Sequence, residues 1–226
     1  MKRMMLAGAA TLLATAMPLT GAAGATAVDG AGDFVGTYTG AANGDLDILG
    51  VSAYFDGINY RLSADLNGPV GTTPNSLFVF GINRGAGTER LTFGMPSVGQ
   101  GVKFDAVAVL FPDGLGRIAT FPAMGPPTIT PLPGAVTVSG NSITGLFSLA
   151  LLPSRGFPPE QYTFALWSRN RVNPALDGLS SEIADFAPGI TASVPEPATW
   201  ATMICGFGLA GLAMRRRRVR DRLSAA

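Results

Sequence analysis

Histidine is absent from the 226 residues, and cysteine occurs once. The first absence removes the central group of Ser-His-Asp and Cys-His catalysis, of His-ligated zinc and haem, and of His-based pH switching. The second leaves no internal disulfide, since Cys205 has no partner within the chain. Charge is also scarce, at 14% of residues. What is frequent is glycine (30) and proline (17), at a level below that of low-complexity disorder. A glycine-punctuated all-β domain fits this composition, and most enzyme classes do not.

The two ends differ so much from the middle that they are set apart before domains are counted. Lys2 and Arg3 precede an apolar run over residues 6–17, and Pro18 then leads into Ala-, Gly- and Thr-rich sequence. This is the order of a secretory signal peptide, with an A-x-A cleavage box at Ala25-Thr26-Ala27 and a second small-residue box at Gly21-Ala22-Ala23. Removal of residues 1–27 is expected, because the apolar run falls short of the about 20 residues that a bilayer span needs. At the other end, residues 198–214 are 17 positions without a charge. As a helix they would extend about 25 Å, the short limit for a bilayer span. Arg215, Arg216, Arg217 and Arg218 follow, then Arg220 and Arg222. Such a basic tail is retained on the cytoplasmic side, while the chain behind a cleaved signal lies outside.

The resulting division is an exported domain over 28–190, a linker over 191–197, a transmembrane helix over 198–214 and a cytoplasmic Arg-rich tail over 215–226. Residues 28–194 contain eight Lys and Arg against thirteen Asp and Glu, a net charge of −5, whereas residues 215–226 carry +5. Neither segment is the basic surface of a nucleic-acid binder, so no such partner is expected. Gly206 to Gly211 spells G-x-G-x-x-G, but no strand precedes it and no βαβ unit can follow, so it is no dinucleotide fingerprint. Gly206 and Ala210 instead have the small-x-x-x-small spacing of a packed membrane helix.

Val194, Pro195, Glu196 and Pro197 stand directly before the apolar stretch, and Trp200 follows. The two prolines remove backbone donors and hold the chain extended, open to a processing enzyme, while an indole at that depth suits the membrane interface. With Arg215 to Arg218 closing the span, residues 194–225 resemble the PEP-CTERM sorting signal, in the variant whose P-E-P is followed by x-x-W-A. The resemblance implies recognition by an exosortase, a membrane transpeptidase that processes its substrates at or near the P-E-P motif, usually in Gram-negative bacteria that make extracellular polysaccharide. It also implies an inner-membrane-anchored precursor that later reaches the cell surface or the extracellular space.

Between the ends, the period is two. Leu46, Ile48, then Val51, Ala53 and Phe55 alternate across an interruption at Gly50, and Ile58 to Leu66 alternate after Asp56-Gly57, which reads as a β-hairpin. Further strands are expected over 76–83, 102–111, 117–121, 135–139, 142–151 and 161–169, with a proline-heavy loop over 122–133. Eight or nine strands without an amphipathic helix predict an antiparallel β-sandwich, with a closed barrel as the other all-β solution. The order of Y-F-D-G-x-x-Y-x-L-x-A-x-L (54–66), V-x-F-D-A-V-A-V-L, a P-D-G turn and S-E-I-A-D-F-A-P (181–188) resembles DOMON-like sandwiches, the group that includes family 9-type carbohydrate-binding modules. Sugar-binding members stack their ligands on exposed tryptophans, and the exported segment has one, Trp167.

Two places carry chemistry. Trp167 and Arg169 share one face of a strand, opposite Phe164, and an aromatic beside a guanidinium can grip a sugar ring or an acidic glycan. Asp45 and Asp47, one strand-step apart, could with Asp56 or Asp185 offer oxygens to Ca²⁺, the hard cation that suits carboxylates; otherwise they cap turns. The expectation is an exported binding or structural protein rather than an enzyme. It needs no cofactor unless a structural calcium, and its partners are the exosortase, the membrane before processing and extracellular polysaccharide. The competing reading is a glycan hydrolase or lyase using two of the thirteen carboxylates.

Overall fold

The computed structural model describes residues 25–89, 99, 101–171 and 182–192. The expected signal over most of its length, the sorting motif with Val194, Pro195, Glu196, Pro197 and Trp200, the membrane span and the tail with Arg215 to Arg218 lie outside the described residues. Among the described residues no helix is long and apolar enough to cross a membrane.

Alternating sequence and unbroken apolar sequence each build a sheet. In chain order the strands are β1 (Ala25–Val28), β2 (Ile48–Phe55), β3 (Asn59–Leu66), β4 (Ser76–Asn83), β5 (Thr88–Glu89), β6 (Lys103–Phe104), β7 (Ala106–Leu110), β8 (Leu115–Thr120), β9 (Thr128–Pro133), β10 (Val136–Ser139), β11 (Ser142–Ser148), β12 (Thr163–Asn170), β13 (Ile183–Phe186) and β14 (Ile190–Thr191). The first sheet runs β1-β2-β3-β11-β10 and the second β13-β12-β4-β7-β8-β9, with β14 also on β12. All their pairings are antiparallel.

The inner faces of the two sheets form one core. Tyr60, Leu62, Ala64 and Leu66 of β3 meet Phe78, Phe80 and Ile82 of β4 and Phe164 and Leu166 of β12 within it. An aromatic ladder crosses this core: Phe55 to Tyr60 at 4.7 Å between ring centroids, and Tyr60 to Tyr162 and Phe164 at 5.5 Å each. Both tyrosines satisfy their hydroxyls inside it, Tyr60 donating to the Pro159 carbonyl at 2.7 Å and Tyr162 to that of Leu152 at 3.0 Å. Burial then costs these rings no unpaired polar atom.

The Asp56-Gly57 hairpin is present, with Gly57 at φ 96° and the Asp56 carboxylate accepting from the Ile58 and Asn59 amides at 2.8 and 2.6 Å. The interruption at Gly50 is a register shift in the β2–β3 pairing. The run over 102–111 breaks at Asp105, whose carboxylate turns to the buried Arg84 at 2.7 Å and to the Ala86 amide at 3.1 Å. The proline-heavy segment is not all loop, since β9 lies in it. β9 is the outermost strand of the second sheet, its Pro131 and Pro133 pairing with Arg117 and Leu115 of β8, and an edge is where a residue without an N–H fits. β1 likewise overlaps residues 1–27, and pairs Ala25 to Val28 with Ala53 to Gly50. A cut behind Ala27 would remove three of its four residues; one behind Ala23 would leave it whole.

Candidate functional site

Strands β4 and β7 are buried on both sides, so their apolar runs floor a second, outer surface as well as the core. Antiparallel register aligns Trp167, Val79, Val109 and Arg117 in one row across β12, β4, β7 and β8. In the neighbouring row Arg169 pairs with Leu77. Trp167 lies against Phe104 and Phe186 at 5.7 and 5.8 Å, and Phe104 against Phe121 at 5.7 Å, so a small aromatic cluster covers the outside of the sheet. Gly81 makes room for it, since a Cβ there would sit 2.9 Å from the Trp167 ring.

Above this floor opens a cavity of about 180 Å³, rimmed by Arg117, Arg169 and Arg171. Arg169 is engaged, its Nε donating to Glu182 Oε2 at 2.6 Å. The other two guanidiniums lie over the Phe111 ring, Arg117 at 5.3 Å and Arg171 at 5.6 Å from its centroid. Among the described residues neither forms an ion pair or a hydrogen bond to a carboxylate. Burial, followed by the charges of Arg171 and Arg169, pushes the Arg117 guanidinium below its ordinary value. Two like charges held together at the mouth of an apolar cavity favour an anion, because an incoming carboxylate relieves their repulsion and accepts charge-assisted bonds from both.

Trp167 and Arg169 therefore do line one site. Trp167 is 5% exposed, however, so it acts as floor and leaves no free indole face for a sugar to stack on. Arg117 and Arg171 join the expected Trp167 and Arg169 at this site. For Arg171 a signal existed, since it continues the every-second-residue series Trp167, Arg169, Arg171; the expected strand ended at 169 and hid it. Arg117 lies 50 residues from Trp167 in sequence, and only strand register brings the two together.

The carboxylates group differently from the expectation. Asp45 lies in a 3-10 turn at Gly44–Leu46 and Asp47 caps it, so the two do not share a strand face. Asp45 accepts from the Thr73 amide at 2.7 Å and from its hydroxyl, and Asp47 from the Gly32 amide at 2.9 Å and Asn67 Nδ2 at 2.9 Å. Asp56 closes its hairpin. Asp185 of β13 instead meets Asp29 and Asp33, with one oxygen of each within 4.8 Å of the others. Asp185 accepts from the Ile48 and Phe186 amides at 2.7 Å each. Burial, and then the charges of Asp29 and Asp33 working against those two bonds, raises its carboxyl to about 7. None of these carboxylates lines the arginine cavity.

Comparison with known proteins identifies the C-terminal segment: residues 193–218 match the PEP-CTERM protein-sorting motif. The chain carries that motif, which marks an exported protein sorted by way of the membrane and processed by an exosortase. No curated protein and no solved structure matches the chain.

Proposed function

We propose that the exported domain is a non-catalytic binding module, a β-sandwich of DOMON-like order, which the exosortase route delivers to the cell surface or extracellular matrix to hold extracellular polysaccharide. The observation that carries this reading is the cavity on the outer face of the second sheet, with its apolar floor and its three guanidiniums. Apolar surface with a few convergent polar groups is the usual composition of a ligand site. Catalysis by a carboxylate pair would need two such groups flanking a bound substrate, and the cavity lining contains none. The one carboxyl raised towards neutrality, Asp185, is 2% exposed and bound to two backbone amides, which supports a structural role over turnover as a glycan hydrolase or lyase.

The test uses the protein exported by its own host. The processed protein is expected to be retained on cells that make polysaccharide, released from cells that do not, and to co-sediment with the purified polymer without shortening it. Free protein in both strains, or falling polymer viscosity, would overturn the reading. In a host lacking the exosortase the longer precursor is expected to accumulate in the inner-membrane fraction.

A further inference from the structure

The arginine cavity has a neighbour, and Arg171 belongs to the walls of both. The second cavity, of about 290 Å³, lies where β4 begins and β7 ends, between Asn75, Ser76 and Asp113 on its sides. Its lining is polar in character where that of the first is apolar. Phe111 forms the divide: its ring lies beneath Arg117 and Arg171 and its residue also lines the second cavity.

One group in this second cavity has no use within the described fold, and a turn of unusual backbone stands beside it. Ser76 is 4% exposed, and its hydroxyl has no hydrogen-bond partner among the described residues. A buried hydroxyl without a partner costs free energy, and native structures rarely keep one idle. The preceding residue, Asn75, adopts φ 59°, alone among the described non-glycine residues in having a positive value. Its carbonyl accepts from the Arg171 amide at 3.4 Å, which ties the turn to the shared wall. Unrelieved polar atoms and unusual backbone gather at ligand sites.

We infer that the two cavities are adjacent subsites for an acidic polysaccharide chain, and that the ligand is recognised over at least two sugar units. This rests on the binding role proposed above and names the chemical class of the ligand. A uronate unit sits at the mouth of the first cavity, its carboxylate between Arg117 and Arg171. The chain passes over the Phe111 divide beside Arg171, and the next unit gives a hydroxyl to, or accepts one from, Ser76 Oγ. The described lining of the two cavities supplies three guanidiniums against one carboxylate, Asp113 of the second, while Glu182 is taken up by Arg169, so charge selects an anion over a neutral polymer.

The exported protein is titrated by calorimetry with oligogalacturonates and oligoguluronates of increasing length, with their carboxyl-reduced counterparts, and with neutral glucan and xylan oligomers. Affinity for the acidic series is expected to rise from one unit to the next and to fall with added salt. Carboxyl reduction, Arg117→Gln and Arg171→Gln are each expected to weaken binding about tenfold or more. Ser76→Ala separates the second subsite from stability: it should weaken binding of the longer oligomers only, leave the single uronate unchanged, and melt no lower than the parent. Affinity independent of length, or a Ser76→Ala protein that binds every length like the parent, would overturn the two-subsite arrangement. Equal binding of reduced and acidic oligomers would overturn the anionic class and leave the binding role standing. Failure to bind any of the polymers would overturn the binding role itself.

Discussion

On the first sheet the outer face carries Arg61, Ser63 and Asp65 of β3, opposite Leu146, Thr144 and Ser142 of β11. The Ser63 and Thr144 hydroxyls bond each other at 2.8 Å, and Ser142 donates to Asp65. On the second sheet the corresponding face carries Leu77, Val79, Val107, Val109 and Trp167, all buried. Both sheets contribute equally apolar inner faces to one core, so their outer faces separate a wall against water from a surface built to be covered. Alternating strands can stand in solvent, whereas strands apolar on both sides need something over them. Among the described residues that cover consists of a few aromatic rings and the three arginines around the cavity.

The largest expected effect breaks the comparison at its centre. Trp167→Ala should destabilise the protein by about 3–5 kcal/mol, the usual range for a buried large aromatic. Ser63→Ala, at a matching outer position of the first sheet, should remain within about 0.5 kcal/mol. Urea unfolding of the two variants beside the parent measures both. Equal losses would show that the two outer faces have the same weight in the fold.

The next effect concerns the joint between the sheets, where Asp185 of β13 accepts from the Ile48 amide of β2. Its folded value of about 7 lies above the ordinary 3.8, mainly through burial. The folded state therefore binds more protons than the unfolded state between these values, and stability falls as pH rises from about 4 through about 7. Asp29, also raised chiefly by burial, acts in the same direction. Asp185→Asn keeps an acceptor for Ile48, gives up the one that faces the Phe186 amide and removes the charge, so its melting temperature should change less over this window than that of the parent. A parent that melts higher at pH 7.5 than at pH 5 would remove the basis for this assignment.

How far the sequence foretold each region follows from the same contrast. Period-two alternation gave the β2–β3 hairpin, and a continuous apolar run gave β4 with the bounds Ser76–Asn83 found in the structure. β9 was hidden by its prolines, which mark an edge strand and a loop alike. The break at Asp105 depends on Arg84, a partner 21 residues away whose pairing no local pattern encodes. The site was half legible, because Trp167 and Arg169 lie on one strand. Arg117 and the Ser76 hydroxyl join them only through strand register and the order of strands in the sheet, which composition and spacing leave open.

The smallest expected effect is a difference between two conditions, and it concerns the carboxylates that hold the first sheet's entry to the second. Asp45 bonds Thr73, which leads into β4, while Asp47 bonds Gly32 and Asn67 beside the first sheet. Each has protein donors on its oxygens and is almost wholly buried, at 0% and 2% exposure. Replacing either with Asn leaves one acceptor and turns an amide N–H₂ towards a donor, at about 1–3 kcal/mol for each strong bond lost. Were the two carboxylates ligands of one calcium ion, the loss in the Asp45→Asn, Asp47→Asn double variant would be larger with calcium than with chelator, by the free energy of the ion's binding. Since their partners are amides and hydroxyls on different segments, the loss should be the same in both conditions when melting temperatures are compared in millimolar calcium and in excess chelator. A loss that appears only with calcium would return the two residues to the role of metal ligands.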